Sequence, residues 1–161
     1  MEGTILKAAA VPVAAITALQ GFRHKGVIQP GQKVLINGAA GGVGTFAVQI
    51  AKSFGTKVTG VCSTRNVEMV RQIGADHVID YTKEDFTRKE QKFDFILDNV
   101  GNRSVSDYMR ALSQKGNCVI IGFTSLGRLL QHMLRGPWFQ GPAAFPAFRQ
   151  VKASALWEPP K

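Results

Sequence analysis

The stretch Lys33-Val-Leu-Ile-Asn-Gly38-Ala-Ala-Gly41-Gly42-Val43-Gly44, running on into Thr45-Phe-Ala-Val-Gln-Ile-Ala-Lys52, decides the fold. A short apolar strand enters a glycine turn and leaves it as an amphipathic helix. Val43, Phe46, Ala47, Ile50, Ala51 and Phe54 recur at helical spacing, and Pro30-Gly31 marks a turn just before the strand. Glycines let the backbone turn sharply and let a phosphate approach with no Cβ in the way. The first N–H groups and the positive dipole end of the helix attract negative charge. The stretch therefore reads as a pyrophosphate cradle. A tight turn with nothing bound is the alternative, because several nucleotide folds share a glycine-rich pattern.

Working outward, the 161 residues suit a single core, and 45% hydrophobic with 19% charged residues is ordinary for a globular protein. Ala8 to Leu19 is apolar for 12 residues, which fits a buried helix and falls short of a membrane span. It also lacks the shape of a secretory signal. The formal charge of +9 raises nucleic acid as a partner. Against that, the 20 Lys and Arg are scattered, and nine of the 11 acids lie between Glu68 and Asp107. No basic run or stacking motif appears, so no nucleic-acid role is expected and the charge reads as solvated surface. Cys62 and Cys118 end the second and fifth strands proposed below, three spacings of about 4.8 Å apart. That exceeds disulfide reach, so both are expected reduced. With His24, His77 and His132 they give no metal-ligand spacing, and no metal is expected. Reduced thiols and the missing signal point to the cytoplasm.

The chain alternates strands and helices. A leading helix over about 8–26 has a kink or start at Pro12. Strand Lys33–Asn37 leads to helix Val43–Phe54, strand Lys57–Cys62 to helix Asn66–Ile73, and strand His77–Asp80 to a charged short helix near Lys83–Glu90. Strand Phe93–Val100 leads to helix Arg103–Ser113, where Val105, Tyr108, Met109 and Leu112 share a face, and strand Asn117–Gly122 follows. The runs VLIN, VTGVC, FDFILDNV and CVIIG are apolar throughout, as strands covered on both faces are. The expectation is an α/β doubly wound parallel sheet of order 3-2-1-4-5, a Rossmann fold, with ligands at the carboxyl ends of the strands. Site candidates then fall at Gly38–Gly44, Cys62–Arg65, Asp80–Tyr81, Asn99–Gly101 and Gly122–Thr124. Residues 1–135 form this domain with its leading helix. From 136 to 161 the chain carries five of its seven prolines and no convincing period. An irregular or disordered tail is expected there, after a helix at Ser125–Leu134 and with a short strand near Ala155–Trp157 as an option.

The end of the second strand reads Gly60-Val61-Cys62-Ser63-Thr64-Arg65-Asn66. Where an NAD site places an acid for the ribose hydroxyls, this chain offers two hydroxyls and a guanidinium, which favours the 2′-phosphate of NADPH. A plainer alternative is that Ser63-Thr64 cap the next helix while Arg65 points to solvent. The missing acid also weakens S-adenosylmethionine-dependent methyl transfer. Gly38-x-x-x-Gly42-x-Gly44 fits short-chain dehydrogenase spacing, but the Tyr-x-x-x-Lys pair of that family is absent: four residues after Tyr81 and Tyr108 stand Asp85 and Leu112.

Residues about 8–135 closely resemble the cofactor-binding domain of the medium-chain dehydrogenase/reductase superfamily, in its zinc-independent quinone oxidoreductase branch. The resemblance rests on AAAVPVAAITALQGF, KGVIQPGQKVLINGAAGGVGTFAVQIAKSFG, GVCSTRNVEMVRQIGADHVIDY, DFILDNVG and CVIIGF. It implies NADP(H) as cofactor and reduction of quinones, enones or similar carbonyl compounds. It also implies pyrophosphate on Gly41, Gly42 and Val43, with Gly44 permitting close helix–strand packing. Ser63 and Arg65 become 2′-phosphate ligands, Tyr81 their neighbour, Asn99 and Val100 the lining of the adenosine or ribose side. Gly122 and Phe123 approach the nicotinamide half, and Thr17 lies against its ring. Other roles stay open: a hydroxyl bonded to its own helix for Thr17, a packing ring for Tyr81, a strand-end turn for Asn99. Ala39 stands where a strict G-x-G-x-x-G has glycine, a variant common in the branch. Full-length relatives carry a barrel-like catalytic domain around this fold, so no catalytic residue is expected here. The chain alone would bind cofactor with little turnover, and substrate would bind only with a catalytic domain present. A stand-alone NADP(H)-sensing module that docks a partner is the alternative, and the resemblance allows a homodimer through an edge strand.

Overall fold

The computed structural model describes residues 2–23 and 28–122, with side chains described from Val13 onward. Helix α1 spans Glu2–Arg23, β1 Lys33–Asn37, α2 Gly42–Ser53, β2 Lys57–Cys62, α3 Val67–Gln72 and β3 His77–Asp80. Strand β4 (Phe93–Asp98), α4 (Val105–Ala111) and β5 (Leu112–Ile120) complete the fold, with 3₁₀ turns at Thr64–Asn66 and Phe86–Arg88. The five strands are all parallel in the order β3-β2-β1-β4-β5. This is the doubly wound sheet expected from the alternation. It reverses direction of growth between β1 and β4, whose carboxyl ends pair as Asn37 with Asp98.

Each strand sends alternate residues to opposite faces, because successive Cβ atoms point oppositely. On one face Val34, Ile36, Val58, Phe95 and Leu97 pack with Phe22 of α1, Val48 of α2 and Val70 of α3. On the other, Leu35, Val61, Ile79 and Ile96 pack with Phe86, Tyr108 and Cys118. Cys62 belongs to the first layer and Cys118 to the second; both are buried free thiols, and burial raises the pKa of each.

Several boundaries differ from the sequence reading. Helix α1 begins at Glu2 and runs through Pro12, which neither starts nor ends it. The apolar sequence continues on both sides, and the helix runs on without the N–H bond that proline cannot donate. The charged segment 83–90 forms only the turn Phe86–Arg88, because Asp85 accepts from Thr87 N–H at 2.9 Å and Phe86 is its one buried apolar side chain. Helix α4 is shorter than Arg103–Ser113. Ser104 and Asp107 form a reciprocal capping box at its start, and Leu112 already opens β5. Strand β5 therefore starts five residues earlier than Asn117, with a bulge between the pairs Phe93–Leu112 and Phe95–Asn117. The tail 136–161, the helix Ser125–Leu134, the strand near Ala155–Trp157 and Phe123 lie outside the described residues.

Four carboxylates brace loops outside the core. Burial opposes ionisation of Asp76, but Lys52 Nζ at 2.8 Å and the Val58 N–H at 2.7 Å outweigh it and lower its pKa. Burial is likewise outweighed at Asp85, by Thr87 and Arg103, and at Asp107, by Ser104 and Arg110. The Thr64 hydroxyl leads the groups that hold Asp80 down at about 2.

Two outcomes are expected. Phe22 is fully buried, with its ring centroid 5.5 Å from that of Phe95, so Phe22→Ala lowers the unfolding free energy in urea by about 3–5 kcal/mol. For the carboxylates, the unfolded chain takes up protons near pH ~4 while the folded chain resists until lower pH. Their contribution is whole above about pH 5 and is lost as pH falls toward about 2. The urea midpoint should decline across that window, and a flat profile there would contradict the bracing.

Candidate functional site

The candidate site lies at the carboxyl ends of the strands, where the glycine turn sits between β1 and α2. Gly38 takes φ +76, a left-handed conformation that favours glycine. Its carbonyl accepts from Gly41 N–H at 3.0 Å, and the Gly38 and Ala39 N–H groups reach Val61 O at 3.2 and 3.0 Å. A Cβ on Gly44 would lie 2.1 Å from Gly38 O, so only glycine lets the first turn of α2 sit this close to the end of β1. Among the described residues, Gly42, Val43 and Gly44 N–H have no recorded acceptor, whereas Thr45 N–H already bonds Gly41 O at 2.9 Å. A Cβ on Gly42 would meet nothing within 4 Å. Gly42 is exposed and Val43 half-buried, so two unpaired donors at the positive end of a helix are open to a ligand, a fit for the pyrophosphate of a dinucleotide, while Gly44 is buried against the end of β1. Gly41 itself is the N-cap, with its N–H spent inside the turn.

At the end of β2, Ser63 caps the Thr64–Asn66 turn without a side-chain cap bond, and its Oγ accepts from Asn66 Nδ2 at 3.2 Å. Arg65 is exposed and has no recorded ion pair among the described residues. Tyr81, beyond β3, is 56% exposed and is not a packing ring. Its N–H donates to Cys62 O at 3.0 Å, which ties the ends of β2 and β3 together. Ser63, Arg65 and Tyr81 therefore share one end of the crevice.

At the switch point, Asp98 is fully buried, and sequence reasoning missed it. Its Oδ1 accepts from the N–H groups of Val100 at 2.6 Å and Gly101 at 2.8 Å, and its Oδ2 accepts from Asn37 Nδ2 at 3.1 Å and the Tyr108 hydroxyl. The signal was an acid closing the apolar run Phe95-Ile-Leu97 of β4. Burial, then the Asp98 charge, raises the Tyr108 pKa, so its hydroxyl stays a donor. Asn99 Nδ2 donates to Asn37 O at 3.0 Å, while its buried Oδ1 has no partner. Val100 packs by Gly38, and a Cβ on Gly122 would fall 2.2 Å from Asn99 O, so Asn99, Val100 and Gly122 converge. Thr17 stands one helical turn before Gly21, which abuts Leu97 and Ile121. Its hydroxyl donates to Val13 O of its own helix at 2.6 Å. Among the described residues no cluster of His, Cys, Asp and Glu could hold a metal ion, and no helix is long and apolar enough to cross a membrane.

Comparison with known proteins agrees with this fold. The zinc-binding dehydrogenase family profile matches residues 42–145. The trans-enoyl reductase pgmF of Aspergillus terreus is 44% identical over 100 residues, covering 60% of this chain and 28% of that protein. The mitochondrial NAD(P)H oxidoreductase RTN4IP1 of Mus musculus is 47% identical over 105 residues, covering 61% and 26%. The solved quinone oxidoreductase of Coxiella burnetii superposes with a TM-score of 0.70 at 30% identity, over 92% of this chain and 46% of that one. The chain thus spans about a quarter of the length of these two curated relatives. With the profile covering more than half of it, the chain belongs to the zinc-binding dehydrogenase family, as the Rossmann portion of a quinone- and enoyl-reductase-like medium-chain dehydrogenase/reductase.

Proposed function

We propose that this chain holds NADPH in preference to NADH, for an oxidoreductase that passes hydride to quinones, enones or related activated carbonyl compounds. The observation that carries the cofactor preference is the end of β2, where Ser63 and an exposed Arg65 stand beside the open helix start. The enoyl and quinone reductase names of the relatives support the acceptor class.

When bound, the nicotinamide supplies hydride from its C4. The chain contributes position and electrostatics. The N–H groups of Gly42 and Val43 hold the pyrophosphate, and Gly44 lets the helix start sit close to the strand. Ser63, Arg65 and Tyr81 take the adenosine 2′-phosphate and ribose, and Asn99 and Val100 line the ribose side. Thr17, Gly122 and Phe123 meet the nicotinamide half; the Thr17 hydroxyl, its proton spent on Val13 O, serves there as an acceptor. We assign no described side chain to proton donation. Substrate groups come, in this reading, from a catalytic domain, and the chain alone turns over little.

The test is titration of NADPH and NADH into the full chain and its variants. Arg65→Ala is expected to weaken NADPH binding by one to two powers of ten, from a lost charge-assisted hydrogen bond of about 1.5–3 kcal/mol, and to spare NADH. Equal parent affinities for the two coenzymes would overturn the phosphate assignment. Gly44→Ala is expected to abolish binding of both, since its Cβ would collide with the Gly38 carbonyl.

A further inference from the structure

Asp80 closes β3 at the same end of the crevice. Its register partner is Cys62, the last residue of β2, so its carboxylate reaches the turn that carries Arg65. Thr64 Oγ1 donates to Oδ2 at 2.5 Å, and Lys83 Nζ lies 3.6 Å from the same oxygen. Thr82 donates to Oδ1 twice, from its hydroxyl at 2.7 Å and its N–H at 3.0 Å. Three hydrogen bonds and the nearby Lys83 charge thus engage both carboxylate oxygens with the protein's own groups. In an NAD site, a carboxylate at this end accepts the ribose hydroxyls. Asp80 instead turns both its oxygens to Thr64 and Thr82.

The turn is braced within itself by Asn66 N–H on Ser63 O at 2.9 Å and Asn66 Nδ2 on Ser63 Oγ. Thr64 is its recorded side-chain tie to β3 among the described residues, through Asp80 and a 3.1 Å contact with the Thr82 hydroxyl. Arg65 follows Thr64 directly, so where Thr64 is held, the base of the Arg65 side chain is held too. Lys83 sets a positive charge beside the carboxylate, which offsets the repulsion an incoming phosphate would feel.

We propose that Asp80 is a positioning residue for coenzyme selectivity: through Thr64 it pins the Ser63–Asn66 turn so that Arg65 is held at the adenosine 2′-phosphate. It rests on the NADPH reading above and names a residue that acts on Arg65 without touching the coenzyme.

The test is a double-mutant cycle on the ratio of NADPH to NADH affinity, with amide exchange of residues 64–67 as a second readout. Thr64→Val should lower the ratio about tenfold and speed exchange in the turn, while Thr64→Ser, which keeps the hydroxyl, restores both. Because the effect passes through Arg65, Thr64→Val should add nothing in an Arg65→Ala background. It should also add nothing once Asp80 is replaced by alanine. A parent-like ratio in Thr64→Val, or an equal fall with Arg65 already removed, overturns the role of Asp80 alone. Equal affinities in the unmodified chain overturn the NADPH reading and this inference together, and are seen without any variant.

Discussion

The 2.1 Å between the Gly38 carbonyl oxygen and the place where a Gly44 side chain would begin leaves room for a hydrogen and nothing larger. That approach seats the start of α2 against the end of the central strand, and it leaves the unpaired N–H groups of Gly42 and Val43 at the open start of the helix. It also fixes the height of α2 above the sheet, on which the packing of α1 through Ala18 and Phe22 depends. A bulkier residue at 44 would lift the helix, open that core layer and turn the donors away at once. Core packing and the openness of these donors share one constraint here.

Two strand-end acids shape the floor on either side of this turn. Asp98, wholly buried, would be costly without partners. Its four donors come from β1, from the loop after β4 and from α4. It thereby joins the two halves of the sheet where their order reverses. Asp80 sits nearer the rim and gathers its donors from the loops after β2 and β3. One acid organises the middle of the crevice and the other the end where β2 and β3 meet. Both acids turn their oxygens to the protein's own donors.

Much of the sheet could be read before folding, for a physical reason. Lys33–Asn37, Lys57–Cys62 and His77–Asp80 were bounded by turn residues and apolar within, and the strands fall on those residues. The glycine turn was legible because backbone geometry and residue type are tied at Gly38 and Gly44. What failed was local pattern overridden by tertiary contact. Leu112 completes a helical i, i+7 face with Val105, yet it fills the second core layer as the first residue of β5. Segment 83–90 had charge for a helix but only Phe86 to bury. Among site residues, the hydroxyls near the second strand were visible, but the cage around Asp80 was not. Thr64 and Asp80 are 16 residues apart and meet only through the β2–β3 register.

The two free thiols give the molecule a built-in pair of reporters. Cys62 lies under one set of helices and Cys118 under the other, each shielded from solvent and held protonated by its surroundings. An alkylating reagent can reach either sulfur only when the layer above it parts. The relative labelling of the two sites would therefore reveal which side of the sheet breathes first, and whether a bound coenzyme quiets one side more than the other.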